Sequence, residues 1–234
     1  MPSELLIAGI DEAGRGAVAG PLVVAGVCCD SKAEAMLRKM GVKDSKLLSP
    51  AKRERLAAAI EKTVKDVVIL SVGPCKIDSH RRGGMSLNQI EGIKMAEVAS
   101  FLKPHRVYID CPDANTFKFK KFLEKMIQHE PEVILEYKAD VKYPVVSAAS
   151  IMAKVERDRE VARLRQEHGD FGSGYPSDPV TQEWLRNWIA GNSRFPDFIR
   201  RSWVPAELLE KDKLQTRLSS WFRGKVTGKP PCEK

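Results

Sequence analysis

The sequence has few of the features that mark secreted, membrane-spanning or zinc-binding proteins. Its five cysteines are odd in number and contain no Cys-x-x-Cys pair, which argues against a disulfide framework and a zinc site. No apolar run approaches the ~18 residues that cross a bilayer. The start, Met1-Pro2-Ser3-Glu4, lacks the basic segment of a signal peptide. We therefore expect a cytoplasmic protein with reduced thiols and no membrane partner.

Histidine is scarce as well, with four residues in the chain. None of them forms an H-E-x-x-H or similar pair, so we expect ordinary surface or helix-end residues rather than metal ligands. Charged residues, in contrast, make up 30% of the chain, and 39 Lys and Arg against 31 Asp and Glu give a net charge of +8. A basic surface favours polyanions, nucleic acids above all, as binding partners.

Short β-branched runs alternate with helical patterns, which predicts an α/β protein with a mixed five-stranded sheet flanked by helices. The predicted strands are 5–10, 22–29, 67–72, 106–109 and 133–137. The predicted helices are 31–40, 50–65, 87–102, 116–129, 147–168, 179–190 and 205–222. A glycine-rich loop separates the first two strands, which should pair antiparallel, whereas the later strands follow helices and should be parallel.

Carboxylates follow three of the predicted strands. Asp11 and Glu12 come after the first, Asp110 after the fourth and Asp140 shortly after the fifth. Because the carboxyl ends of neighbouring strands meet at one edge of an α/β sheet, these four side chains should cluster there. Two charges 4 Å apart repel by ~4 kcal/mol at an effective dielectric constant of 20, so the cluster needs cations. Oxygen ligands without histidine favour Mg²⁺ or Mn²⁺, and two such ions would balance four carboxylates.

The loop after the first predicted strand reads Asp-Glu-Ala-Gly-Arg-Gly-Ala-Val-Ala-Gly-Pro. Its glycines give G-x-G-x-x-x-G with no long helix behind them, and two acids precede them, so a dinucleotide cradle is a weak interpretation. A tight loop that exposes backbone groups beside a metal site fits better, with Arg15 available to a phosphate.

Six blocks in a fixed order resemble ribonuclease HII, and the resemblance covers residues 5–203. They are DEAGRG at 11–16, KDSK at 43–46, YID at 108–110, KAD at 138–140, VVSAASIMAKVERDRE at 145–160 and GDFGSGYPSDP at 169–179. The last block is similar to the archaeal and eukaryotic branch of the family. The resemblance implies an RNase H-like fold and metal-dependent cleavage of the RNA strand of RNA–DNA hybrids, single ribonucleotides in duplex DNA included.

Carried over by position, the resemblance also implies roles for individual residues. Asp11, Glu12, Asp110 and Asp140 would be the catalytic carboxylates and metal ligands. Gly14, Arg15 and Gly16 would sense the ribose 2′-hydroxyl, and Tyr175 would pack on the sugar that follows the ribonucleotide. Lys46 and Lys154 would lie near substrate phosphates. From spacing alone, however, a packed turn residue is the favoured interpretation of Tyr175, and only the resemblance reverses it. The alternative for Lys154 is a solvated helix face.

A separate motif lies near the C-terminus. Gln215, Leu218, Trp221 and Phe222 form Q-x-x-L-x-x-aromatic-aromatic, which is similar to the segment that docks replication proteins onto a sliding clamp of the proliferating-cell-nuclear-antigen type. One helical turn would place the last three side chains together. The alternative is an amphipathic helix packed on its own domain.

These features predict a catalytic domain over residues 1–203 and a helical C-terminal extension over 204–234, in a monomeric enzyme. Two other interpretations stay open. One is another RNase H-like polynucleotidyl transferase, such as an integrase or resolvase. The other is a catalytically inactive module that binds hybrids.

Overall fold

The computed structural model describes residues 5–42, 48–113 and 115–225, with the backbone alone for residues 216–225. The described strands are β1 Ile7–Ala13, β2 Leu22–Cys29, β3 Asp66–Val72, β4 Arg106–Asp110 and β5 Glu132–Glu136. The described helices are α1 Ser31–Lys39, α2 Pro50–Thr63, α3 Pro74–Arg82, α4 Leu87–Leu102, α5 Thr116–Met126, α6 Ala139–Lys142, α7 Pro144–His168, α8 Pro179–Gly191 and α9 Val204–Lys225.

The strands form one mixed sheet in the order β3-β2-β1-β4-β5. β1 pairs antiparallel with β2 and parallel with β4, and β4 pairs parallel with β5, as the connections predicted. β3 pairs antiparallel with β2 although helices separate the two in sequence. β3 therefore runs in the same direction as β1, β4 and β5, and their carboxyl ends share one edge of the sheet.

Helices cover both faces of the sheet. Side chains of α1, α2 and α7 form a core with one face, and side chains of α4 and α5 form a core with the other. Every residue of β2, which lies between β3 and β1, is buried as a result. A third cluster joins the end of α7 to α8 and to the first turn of α9, where Ala206 is fully buried. No helix in the described ranges is long and apolar enough to cross a lipid bilayer.

Local signals in the sequence explain where several helices begin. Asp30 Oδ1 accepts a hydrogen bond from Ala33 N at 2.7 Å and caps α1. Ser86 and Gln89 form a reciprocal capping box at the start of α4. The sequence prediction missed α3, which begins after Gly73 without a side-chain cap and buries Ile77 as its single large apolar residue. Since propensity and periodicity are both weak there, packing against α4 decides this helix.

Candidate active site

A cleft of about 460 Å³ opens at the edge of the sheet where β1 and β4 end. The predicted site residues that line it are Asp11, Glu12, Gly14, Arg15, Gly16, Asp110, Asp140, Lys154 and Tyr175. These residues come from five separate segments of the chain. The structure therefore brings together all of the predicted catalytic and substrate-binding residues that fall within its described ranges.

The strand register places the first two carboxylates inside β1 rather than after it. Asp11, Glu12 and Ala13 still pair with β2, so the predicted strand end at residue 10 is wrong. Asp11 is 4% exposed, and its Oδ1 accepts a hydrogen bond from Glu12 N at 2.7 Å. The paired backbone holds these side chains more rigidly than a loop would.

Asp110 and Asp140 reach the cleft from a different pair of elements. Asp110 is the last residue of β4, and its Oδ1 accepts a hydrogen bond from Ala139 N at 2.9 Å, which ties the end of this strand to α6. Asp140 is 8% exposed and lies in α6, not at the predicted strand end. β5 ends at Glu136, and Lys138 then takes a left-handed φ of 54° that turns the chain into the cleft.

Burial and mutual repulsion disfavour the ionised form of this carboxylate cluster. Burial raises the pKa of Glu12 to about 8, and repulsion from the Asp11 and Asp110 carboxylates adds to the effect. Burial also raises the pKa of Asp11 to about 6, although the Lys154 charge and a hydrogen bond from Ser150 work in the opposite direction. Positive charge in the cleft therefore favours the ionised cluster.

The donor atoms suit a hard divalent cation. Five carboxylates, the four predicted ones and Asp158, line the cleft, and no histidine of the described residues does. Glu12 Oε2 is buried without a hydrogen bond from any described residue. Among the described residues, however, no three Asp, Glu, His or Cys side chains are grouped closely enough to hold a metal ion as they stand. The chemistry of the site thus fits Mg²⁺ or Mn²⁺, and the two-metal arrangement stays a prediction.

Lys154 supplies a positive charge within the cleft from α7. Its Nζ donates a hydrogen bond to Ser150 Oγ, one helical turn earlier. Ser150 is completely buried and also bonds to Asp11, so it connects the lysine to the carboxylate cluster. Lys154 therefore lies beside the carboxylate cluster, and its contact with a substrate phosphate stays a prediction.

The loop after β1 requires glycine at its first turn. Gly14 has a φ of +83°, and a Cβ atom there would lie 2.5 Å from Pro21 O and 2.6 Å from Arg157 Nε. A Cβ atom on Gly16, in contrast, would meet nothing within 4 Å. Gly14 therefore allows the loop to fold, whereas Gly16 leaves open space that a ligand can enter.

A buried arginine from the C-terminal part of the chain holds this loop from beneath. Arg200 is fully buried and donates hydrogen bonds to three carbonyl oxygens, those of Gly14 at 2.7 Å, Arg15 at 2.9 Å and Gly20 at 3.2 Å. Burial lowers the pKa of this guanidinium to about 9. No local pattern marks Arg200, which sequence analysis missed.

Arg15 is anchored on the side of the loop that faces α4. Its guanidinium forms an ion pair with Glu91, whose side chain is 0% exposed, and donates to Asn88 Oδ1 at 2.5 Å. Asn88 Nδ2 in turn donates to Asp113 Oδ2 at 2.6 Å. With its charge partly neutralised in this way, Arg15 is better placed to fix the loop than to act as a free phosphate ligand.

Tyr175 stands on a loop that is held at both ends. Gly174 O accepts hydrogen bonds from Val18 N at 2.8 Å and Ala19 N at 3.1 Å. Asp178 Oδ2 accepts from Ser173 N at 2.6 Å. The Tyr175 ring is half-buried, and the Arg157 guanidinium carbon lies 4.6 Å from its centroid. The ring is thus positioned against the cleft but keeps an accessible surface.

Sequence analysis missed three further residues that line the cleft, Arg53, Arg157 and Asp158. Arg53 Nη2 contacts Asp158 Oδ2 at 2.7 Å and joins α2 to α7. Arg157 is 5% exposed and donates to Ser173 O at 3.0 Å. A signal was present, because residues 154, 157 and 158 have the i, i+3, i+4 spacing of one helix face.

Other predicted residues lie apart from the cleft. Lys46 falls outside the described residues, and the structure gives only the backbone of Leu218, Trp221 and Phe222, within α9. The Gln215 side chain is exposed. No histidine lines the cleft in the described part of the chain, and Cys28, Cys29, Cys75 and Cys111 are free thiols.

Comparisons with known proteins show the family of this chain. The model of the ribonuclease HII family matches residues 8–206. The ribonuclease HII of Pyrococcus abyssi is 43% identical over 213 residues, which cover 91% of this chain and 95% of that protein.

Two solved structures are similar to this chain over most of their length. The crystal structure of the ribonuclease H2 from Pyrococcus horikoshii has a TM-score of 0.84 at 42% identity, covering 89% of this chain and 98% of that one. The ribonuclease HII of Archaeoglobus fulgidus, solved in complex with PCNA, has a TM-score of 0.79 at 49% identity and covers 85% of this chain and 95% of that one. The chain therefore belongs to the ribonuclease HII family, and its activity is that of a ribonuclease H endonuclease acting on RNA–DNA hybrids.

Proposed function

We propose that this ribonuclease H cleaves single ribonucleotides embedded in duplex DNA as well as the RNA strand of long hybrids. The products are a 3′-hydroxyl and a 5′-phosphate, and the cellular roles are ribonucleotide excision and primer removal. One observation carries the proposal. The carboxylate cluster, the loop over Gly14–Gly16 and Tyr175 line a single cleft, so a bound nucleotide can be read and cut at the same place.

Asp11, Glu12, Asp110 and Asp140 are the residues that would hold Mg²⁺ or Mn²⁺. When bound, such ions would lower the pKa of an attacking water and would stabilise the leaving 3′-oxygen. The support is the all-oxygen donor set and the buried Glu12 Oε2, which accepts no hydrogen bond from the described residues. Four acidic ligands on strands and helix termini give a site that selects hard cations over zinc.

Different residues of the chain recognise different parts of the substrate. The open space over Gly16 admits a ribose, whose 2′-hydroxyl can both donate to and accept from backbone groups. Tyr175 packs on the following sugar, and the Arg157 guanidinium keeps its ring in place. Lys154 contacts a phosphate and positions it beside the carboxylates. Lys46, which the structure does not describe, keeps the same predicted role.

Cleavage of three matched duplexes tests this function. They carry one ribonucleotide, no ribonucleotide and a long RNA strand, each assayed with and without Mg²⁺. We expect cuts in the first and third and none in the all-DNA duplex. Cleavage of the all-DNA duplex would instead favour another RNase H-like polynucleotidyl transferase. Binding without cleavage in every condition would favour the inactive hybrid-binding module.

We also propose a sliding clamp of the PCNA type as a protein partner. Gln215, Leu218, Trp221 and Phe222 would form the contact, with the apolar side chains filling a pocket of the clamp. Two observations support this: the motif falls within α9, and a relative at 49% identity has been solved in complex with PCNA. The division at residues 203 and 204, the monomeric state and the cytoplasmic location remain predictions.

A further inference from the structure

A second groove, of about 300 Å³, lies beside the catalytic cleft on the other side of the loop after β1. Gly16, Arg81, Leu87 and Trp203 are among the residues that line it. Arg15 and Gly16 line both depressions, so the groove continues the catalytic cleft. The other lining residues come from α3, the start of α4 and the segment after Arg200, which none of the sequence motifs includes.

The groove presents positive charge next to an aromatic ring. Arg81 and Arg82, in the last turn of α3, are both exposed, and neither forms an ion pair with any residue in the described ranges. The Arg81 guanidinium carbon lies 4.9 Å from the centroid of the Trp203 ring. Stacking on a ring fixes the plane of a guanidinium and leaves its N–H edge available to an anion.

Acidic side chains nearby do not cancel this charge. Glu207 and Glu210 border the adjoining surface with Arg81 and Arg82. Lys211 pairs with Glu207 at 2.7 Å, and Arg201 pairs with Glu210 at 2.9 Å. Among the described residues, Arg81 in this groove and Arg82 on the adjoining surface therefore carry charges that no ion pair neutralises.

We propose that this groove binds the phosphate backbone of the substrate duplex where it leaves the catalytic cleft. Arg81 contacts a phosphate, Arg82 contacts a neighbouring one, and Trp203 holds the Arg81 guanidinium flat against the groove. The inference rests on the proposed function, and it adds a second contact region to that function. Continuity with the cleft and charge complementarity both favour nucleic acid as the occupant.

A purely structural role for the two arginines makes a different prediction. Basic residues in the last turn of a helix interact favourably with its dipole, and α3 also carries His80 there. If that were their only role, replacing them would lower the melting temperature and leave nucleic-acid binding unchanged. Binding and stability must therefore be measured on the same variants.

The test measures hybrid binding by fluorescence anisotropy in EDTA over a range of salt concentrations. The variants are Arg81→Ala, Arg82→Ala and the double variant, with the exposed Lys125→Ala on α5, away from the groove, as the matched control. Each arginine variant should reduce the slope of log affinity against log salt by about one, and the control should not. Arg81→Lys should restore most of the slope, because it keeps the charge.

Duplex length provides the sharper comparison. We expect the arginine variants to weaken binding to a long duplex and to leave unchanged the binding of a duplex trimmed on the side of the groove. Equal losses on both lengths, or no loss on either, would overturn the groove assignment. Failure of the wild-type chain to bind or cut any hybrid would instead reject the proposed function itself.

Discussion

The Nη2 atom of Arg200 lies 2.7 Å from the carbonyl oxygen of Gly14, although the two residues are 186 positions apart. This contact connects the segment that leads into α9 with the loop expected to read the ribose. The same guanidinium reaches Arg15 O at 2.9 Å. The recognition loop is therefore a long-range assembly, and its shape depends on the C-terminal third of the chain.

Arg200→Met should destabilise the protein and reduce its preference for a ribonucleotide over a deoxyribonucleotide. Three carbonyl oxygens would lose the hydrogen bond from Arg200, although Gly14 O also accepts one from Ala17 N at 3.3 Å. Each buried hydrogen bond left unmade costs ~1–3 kcal/mol. We expect the free energy of unfolding to fall by about 3 kcal/mol or more, measured by chemical denaturation. The preference for a single ribonucleotide over all-DNA duplex should fall with it. Unchanged stability and unchanged preference would show that these hydrogen bonds do not shape the loop.

Asp110→Asn should abolish cleavage and retain hybrid binding. The amide oxygen can still accept the hydrogen bond from Ala139 N, so the change removes charge and preserves shape. Asp11→Asn should behave in the same way. Cleavage in Mg²⁺ and a gel shift in Ca²⁺ or EDTA measure the two properties. The exposed Asp66→Asn, at the opposite edge of the sheet, is the control. Wild-type rates in either site variant would contradict the assignment of the catalytic cluster.

Tyr175→Ala should reduce cleavage at a ribonucleotide–DNA junction more than cleavage inside a long hybrid. Packing on a sugar matters most where that sugar identifies the junction. Tyr175→Phe keeps the ring against Arg157 and should retain most of the junction activity. Specificity constants for both substrates provide the measurement. Equal losses on the two substrates would leave Tyr175 as a structural residue only.

Acid should selectively weaken the loop that carries Tyr175. Hydrogen bonds from Ser173 N and Oγ lower the pKa of Asp178 to about 2 from its ordinary value of 3.8. A lowered pKa in the folded state stabilises the protein above pH ~4, and this contribution is lost as the pH falls towards 2. Asp178→Asn should therefore lower the melting temperature at neutral pH. The difference in melting temperature between this variant and the wild type should shrink at pH values near 2. A difference that stays constant across this range would contradict the role of the carboxylate.

A Trp221→Ala/Phe222→Ala double variant should lose binding to the clamp and still cleave oligonucleotides at the wild-type rate. Aromatic anchors at interfaces commonly contribute ~2 kcal/mol or more each. Calorimetric titration with the clamp measures the loss, with Leu208→Ala, exposed on α9 outside the motif, as the control. If the two aromatics pack on the catalytic domain instead, the melting temperature should drop while clamp affinity is unchanged, since core aromatics cost ~3–5 kcal/mol on truncation.

Local chemistry explains which parts of the fold were predictable. Helix α4 matches its predicted limits because Ser86 and Gln89 cap it and apolar residues recur along it. The limits of β1 differ from the predicted ones, because pairing with β2 continues the strand through Asp11 and Glu12, where composition suggests a turn. The tertiary partner overrides local preference at such positions.

Local signals in the sequence were enough to predict the sheet, most of the helices and the acidic residues of the site. These signals are strand periodicity, helix capping and carboxylates near strand ends. Tertiary structure alone decided that Arg200 lies beneath Gly14, that Glu91 pairs with Arg15 and that Arg157 lies against Tyr175. It also decided that Arg81 meets Trp203 beside the cleft. These pairs are 18 to 186 positions apart, and no periodic pattern joins them. The contacts of Arg200 and Glu91 exist because buried polar groups must find partners wherever the packed fold provides them.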